Sequence, residues 1–153
     1  MPLRERFTEE LKTAMKAGDK PRLSTIRLIQ AALKDRDIEA RGAGKGPIGD
    51  DEILALLQKM TKQRQESMAI YETNNRPELA AGEAAEIAVI SEYLPQALGA
   101  AETDGAIADA IAAVGAASMK DMGKVIAKLR ADYAGRMDFG QVSGLVKAKL
   151  SGG

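Results

Sequence analysis

The 153-residue sequence predicts an all-α protein: an N-terminal four-helix unit, residues 1–95, followed by a C-terminal three-helix unit, residues 96–153. Three observations predict it. Apolar residues recur at three- and four-residue spacing almost throughout, and no stretch keeps the two-residue alternation of a strand. Apolar residues make up 45% of the chain but only five residues are aromatic, so the core must be built from Ala, Leu, Ile, Val and Met, a set rich in helix formers. Prolines and glycine clusters punctuate the periodic runs where helices should begin and end.

Leu3, Phe7, Leu11 and Ala14 place a first helix over 2–17, with Gly18 as its left-handed stop. Pro21 suits the first turn of a second helix, because an amide there has no intrahelical partner to lose. Ile26, Ile29 and Leu33 mark its buried side, and it runs to about Arg41. Residues 42–49, Gly-Ala-Gly-Lys-Gly-Pro-Ile-Gly, read as a flexible connector. Asp50 or Asp51 should cap a third helix with Ile53, Leu57, Met60, Met68 and Tyr71 inward; Asn74-Asn75 stops it. A fourth runs from Pro77 to Pro95 with Ile87, Ile90 and Leu94 inward, and 95–101 is a hinge.

Three short helices follow, at 102–114, 118–134 and 139–150. Their apolar positions are Ile107, Ile111 and Val114; then Met122, Val125, Ile126, Leu129 and Tyr133; then Val142, Leu145, Val146 and Leu150. Ser118-x-x-Asp121 and Asp138-x-x-Gln141 are similar to capping boxes. Gly123 lies inside the second of these helices, where glycine costs about 0.5–1 kcal/mol against alanine, so a close approach by a neighbouring backbone is expected there.

Composition removes much chemistry. The chain has no Cys and no His, hence no disulfide frame, thiolate nucleophile, imidazole base or usual zinc site. No window has the length and apolarity of a membrane span, and the charged N-terminal stretch lacks a signal core, so a cytoplasmic protein without a membrane partner is expected. No cofactor or metal is expected. Gly42-Ala43-Gly44-Lys45-Gly46 fails as a phosphate loop: Glu39 stands where the first glycine belongs, and Gly46 where Ser or Thr belongs. Asp50-Asp51-Glu52 could hold a hard cation, but acids in the first turn of a helix are explained by its dipole. Glu83 and Glu86 lie on an Ala-rich helix with nothing to split their pKa values. Ser118 beside Lys120 is a weak candidate nucleophile, and capping accounts for it.

Charge is balanced overall, with 22 bases and 22 acids, but segregated. Residues 77–117 carry acids and no base; residues 118–153 carry Lys120, Lys124, Lys128, Arg130, Arg136, Lys147 and Lys149 against Asp121, Asp132 and Asp138. On a wheel of about 100° per residue, Lys120, Lys124 and Lys128 form a row opposite Met122, Val125, Ile126, Leu129 and Tyr133. A solvated face is the plain reading of such a row; a phosphate-contact surface is the functional one. No aromatic side chain interleaves with the lysines, so the surface suits the shape and backbone of folded RNA rather than base stacking. Arg22, Arg27 and Arg64 are secondary candidates, with ties between helices as their alternative role.

Arg22-Leu23-Ser24-Thr25-Ile26-Arg27-Leu28-Ile29-Gln30-Ala31-Ala32-Leu33-Lys34 and Lys62-Gln63-Arg64-Gln65-Glu66-Ser67 resemble the N-terminal half of YqeY-type proteins. Glu86-Ile87-Ala88-Val89-Ile90-Ser91-Glu92-Tyr93-Leu94-Pro95 resembles the family's junction, and Asp121-Met122-Gly123-Lys124-Val125 and Gly135-Arg136-Met137-Asp138 its C-terminal motifs. Glu78 and Ile126 are mild departures, standing where Asp and Met are usual.

The resemblance implies a C-terminal unit similar to the tail of the B subunit of the glutamine-dependent aspartyl/glutamyl-tRNA amidotransferase, a tail that contacts tRNA and has relatives on some glutaminyl-tRNA synthetases. The glutaminase and kinase centres of that enzyme lie outside this module, so a carbon–nitrogen ligase activity is not inferred from the likeness. The expectation is a non-catalytic tRNA-binding protein acting beside tRNA-dependent amidation or aminoacylation. Its expected partners are tRNA and an aminoacyl-tRNA synthetase or amidotransferase subunits, not DNA. The seven bases of 118–153 are the expected phosphate contacts. The alternatives are an accessory component of a glutamine-dependent amidotransferase and a protein-interaction adaptor using the acidic segment 77–117 and the N-terminal helices.

Overall fold

A computed structural model describes residues 2–152. Among the described residues there are seven α-helices, one 3-10 turn and no strand. The chain divides into two compact units, Met1–Pro95 and Gln96–Gly153.

The first unit contains α1 (Leu3–Ala17), α2 (Lys20–Gly42), α3 (Asp50–Thr73) and α4 (Pro77–Ser91). Gly18 ends α1 at φ 68°, its amide donating back to Ala14 and Met15. Asp19 then opens α2 by accepting the Arg22 amide at 3.2 Å. The two helices therefore turn sharply between a left-handed residue and a side-chain cap, each supplying what a bare terminus lacks. α3 packs most extensively on α4, while α2 touches all three partners. Phe7, Ile26, Ile29, Ile53, Leu57 and Ile90 are fully buried where these helices meet.

Two expectations change here. Asp50 and Asp51 do not cap α3: Gly49 holds the cap position without a side-chain bond, and the acids occupy the first turn. Asp50 instead accepts the amide of Leu3, at 3.4 Å, and so serves the start of α1. The glycine-rich connector is also less free than its composition suggests. Ile48 is buried, its amide donates to Asp37 Oδ1 at 3.0 Å and its carbonyl accepts Arg4 Nη2 at 2.9 Å. Arg4 grips both carboxylate oxygens of Asp37 at 2.7 Å, a bidentate pair joining α1, α2 and the connector.

After α4 the chain turns through Tyr93 rather than staying helical to Pro95. Tyr93 is 3% exposed, with its ring edge-on to Phe7 at 4.9 Å between centroids and the Arg6 guanidinium 4.9 Å over it. Its buried hydroxyl has no partner in hydrogen-bonding geometry among the described residues. Burial first, and the neighbouring Glu10 carboxylate next, push its pKa up to about 12.

The second unit contains α5 (Ala100–Val114), the 3-10 turn Met119–Asp121, α6 (Met122–Tyr133) and α7 (Phe139–Gly152). α5 starts two residues before its expected place, with Gly99 as its cap. α6 packs on both α5 and α7. Ile107, Val125, Leu129 and Val146 are fully buried, with Ala106, Ala110, Met137 and Val142 around them.

Candidate nucleic-acid interface

The expected lysine row begins on a 3-10 turn, not on an α-helix. Ser118 makes no capping bond; the Asp121 carboxylate reaches back to accept the Ala117 amide at 3.0 Å, and the Asp121 amide donates to Ser118 O at 3.0 Å. These bonds tighten residues 117–121, so Lys120 departs from the phase of a continuous wheel. The bond from Ala117 is also the main reason the Asp121 carboxyl lies below its ordinary value, with nearby Lys124 adding to the effect. At the next helix start the expected cap forms: Asp138 Oδ1 accepts the amides of Gly140 at 3.0 Å and Gln141 at 3.3 Å.

Lys124 and Lys128 stand one turn apart on the exposed side of α6, opposite buried Val125 and Leu129. Lys128 pairs with Asp132 at 3.0 Å, one further turn along the same row. Both side chains are 43% exposed, so water screens the pair and leaves the lysine able to exchange partners. Arg130 is exposed and lies over the Phe139 ring at 5.6 Å.

Arg136 is tied into the unit. Its Nε donates to Gln96 O at 3.0 Å, its carbonyl accepts the Leu98 amide at 3.0 Å, and its guanidinium lies 5.9 Å over the Tyr133 ring. These contacts hold the segment 96–98 against the α6–α7 turn. Lys147 and Lys149 are both exposed on α7. Two residues advance a helix by about 200°, so they flank the buried Val142–Val146 line on opposite sides. At most one of them extends the α6 row.

Lys120, Lys124, Lys147 and Lys149 have no ion pair within 4 Å among the described residues. The site is thus a surface of solvated ammonium groups carried on helices whose other sides are core. It can bind anions. Gly123 is not explained by packing: a Cβ added there meets nothing within 4 Å, so the expected close approach of a neighbouring backbone is absent. Among the described residues no group of three or more acids is placed to hold a metal ion.

The secondary candidates divide. Arg22 binds Glu92 and, at 3.0 Å, Glu10. Arg64 binds Glu86 at 2.7 Å and the Met60 carbonyl at 3.1 Å. Both are ties between helices. Arg27 is exposed on α2. The Arg4–Asp37 clamp escapes sequence reading because its partners lie 33 positions apart and neither belongs to a local motif.

No helix among the described residues is long and apolar enough to cross a membrane. Among known proteins, the chain is similar to proteins named altered inheritance of mitochondria protein 41, mitochondrial. With that of Lachancea thermotolerans it shares 33% identity over 96 residues, 63% of this chain and 50% of the relative. With that of Vanderwaltozyma polyspora it shares 31% over 86 residues, 56% of this chain and 45% of the relative. With that of Pyrenophora tritici-repentis it shares 28% over 133 residues, 86% of this chain and 71% of the relative. The chain thus spans about half the length of the first two. The model of the Yqey-like protein family matches residues 4–150, nearly the whole chain, and the chain belongs to that family.

Proposed function

We propose that this protein is a non-catalytic tRNA-binding protein that works beside tRNA-dependent amidation or aminoacylation. One observation carries the reading: lysines without ion-pair partners on the 3-10 turn, α6 and α7, each helix turning its opposite side to the core. Solvated ammonium groups displace counterions from a phosphate backbone, and the absence of interleaved aromatic rings favours folded RNA over a stacked single strand. The likeness of the C-terminal motifs to an amidotransferase B-subunit tail supplies the choice of tRNA and the proposed protein partners, a synthetase or amidotransferase subunits. The cytoplasm is the compartment we propose. The fungal relatives carry a mitochondrial name, so cell fractionation with an antibody to this chain is the check.

The test is titration of tRNA by gel shift. Lys120, Lys124, Lys128 and one α7 lysine amount to roughly four phosphate contacts, for which log affinity should fall against log salt with a slope near −3. The triple change Lys120→Glu, Lys124→Glu, Lys128→Glu should abolish binding, and folded tRNA should outcompete a single strand of equal length. Single changes at Lys147 and Lys149 should differ, since only one side of α7 continues the row. Equal binding by parent and triple variant, or none by the parent at low salt, removes the reading.

A further inference from the structure

The four-helix unit carries a second basic surface of a different kind. Lys20, Arg27, Lys34 and Arg41 are all exposed on α2 and stand seven residues apart. Seven residues fall about 20° short of two full turns, so the four cations form one nearly straight stripe. Successive members are about 10 Å apart and the stripe is about 31 Å long. Ile26, Ile29 and Leu33 occupy the opposite, buried side of the helix. Beside the stripe run Ser24, Ala31 and Ile38, exposed and again seven residues apart. Leu28 and Ile38 are 40% and 55% exposed. Lys20, Leu23, Ser24, Arg27 and Leu28 line an open groove at its N-terminal end.

The unit's other arginines show what is unusual. Arg4, Arg22 and Arg64 are each held by a carboxylate on another element, and Arg6, Arg36 and Arg76 by a carboxylate two to four residues away. Lys20, Arg27, Lys34 and Arg41 have no ion pair within 4 Å among the described residues. Asp35 and Asp37 lie on either flank of the stripe; Arg41 is near Asp37 and helps to keep that carboxyl ionised.

We propose that the outward face of α2 docks an acidic amphipathic helix of a partner protein. A helix lying along α2 repeats its facing positions with the same seven-residue period, so acids spaced by seven meet all four cations in register. Leu28 and Ile38 on one side of the stripe and the half-buried Leu23 on the other give such a partner apolar contacts beside the charges. A phosphate backbone gains nothing from those side chains. A membrane surface calls for a free apolar sector opposite the cationic one, and the side of α2 opposite the stripe is core. A second copy of this chain offers acids at this spacing on α5, Glu102 and Asp109, but the exposed side of α5 carries only Ala, Gly and acidic residues and has nothing to fill the groove.

The probe is a synthetic helical peptide with Glu at every seventh position and Leu at the adjoining facing positions, titrated by fluorescence anisotropy into the full-length protein. Saturable, salt-sensitive binding is expected. Arg27→Glu with Lys34→Glu should weaken it by about tenfold or more while leaving the melting temperature unchanged. Ile38→Ser should weaken it less, and a peptide with Lys in place of Glu should not bind. No binding of the Glu peptide, or equal binding by the parent and the double variant, overturns the proposal. So does loss in the double variant of binding to tRNA or to phosphatidylserine vesicles with peptide binding unaffected. Sedimentation showing a dimer that the double variant abolishes also overturns it, in favour of a second copy as the occupant.

Discussion

The two units use their positive charge in different ways. In the first, beside local pairs such as Arg6 with Glu10, three arginines bridge separate elements: Arg4 to Asp37, Arg22 to Glu10 and Glu92, Arg64 to Glu86. In the second, the one ion pair among the described residues is local, Lys128 with Asp132 on the next turn of the same helix. The difference follows from side-chain chemistry. A guanidinium is weakly hydrated and presents a planar fork matched to a carboxylate, so it suits a half-buried joint between helices. An ammonium is strongly hydrated on a flexible stem and stays in water unless an anion arrives. The comparison teaches that total charge says little about function: what matters is whether the carboxylates of the fold have already claimed the cations.

The largest expected effects lie in the two cores, which should be separable. Leu57→Ala in the first unit and Leu129→Ala in the second each remove a fully buried side chain and should cost about 2–5 kcal/mol. Amide hydrogen exchange should show each variant losing protection in its own unit. Loss spread equally over both would break the two-unit description.

The arginine ties come next. Arg4→Ala removes a bidentate pair and a bond to Ile48 O, and should cost about 1–2 kcal/mol in denaturant titration, the lower half of the range reflecting partial exposure. The effect should depend on pH with a definite sign. The Arg4 guanidinium, aided by the Ile48 amide, holds the Asp37 carboxyl below its ordinary value of 3.8. A carboxyl lowered in the folded state stabilises fully above its unfolded value and loses that contribution as pH falls through the folded one. Parent and variant should therefore differ most at neutral pH and converge below about pH 4. A difference that grows on acidification would show that the clamp is not electrostatic.

Smaller still is Gly123→Ala. Nothing lies within 4 Å of the added carbon, and Gly123 sits in the first turn of α6, so it should stabilise the protein by no more than the ~0.5–1 kcal/mol of a mid-helix glycine. A loss of stability would reveal a neighbour that the fold does not show. Smallest of all, Lys120→Glu, Lys124→Glu and Lys149→Glu should each shift stability by less than about 0.5 kcal/mol, since none has an ion-pair partner to lose. If one of them destabilised the fold as much as Arg4→Ala, the contrast between the units would fail.

Much of the architecture is legible in the sequence. Ile26, Ile29 and Leu33 announced the inner side of α2, and Gly18, Pro21, Pro77 and Asp138 marked real ends. Local rules suffice there, because a helix and its stops are decided within a few residues. Ser118 shows the limit of such rules: two local bonding schemes competed for the same turn, and the carboxylate of Asp121 won.

The order of helices, their buried sides and the gathering of bases at the C-terminal end are properties of the sequence itself, because periodicity and charge are written residue by residue. Which cations remain available is not. Arg22, Arg27 and Arg64 are equivalent on paper; folding brings Glu10, Glu92 and Glu86 to two of them and leaves Arg27 exposed. The same applies to Asp37, which recruits Arg4 and the Ile48 amide across the connector, and to Arg136, whose Nε also ties down residues 96–98. The physical reason is reach. A helix forms through bonds four residues long, whereas an ion pair or a long hydrogen bond joins whatever the packing of whole helices brings within 4 Å, and only the tertiary structure decides that.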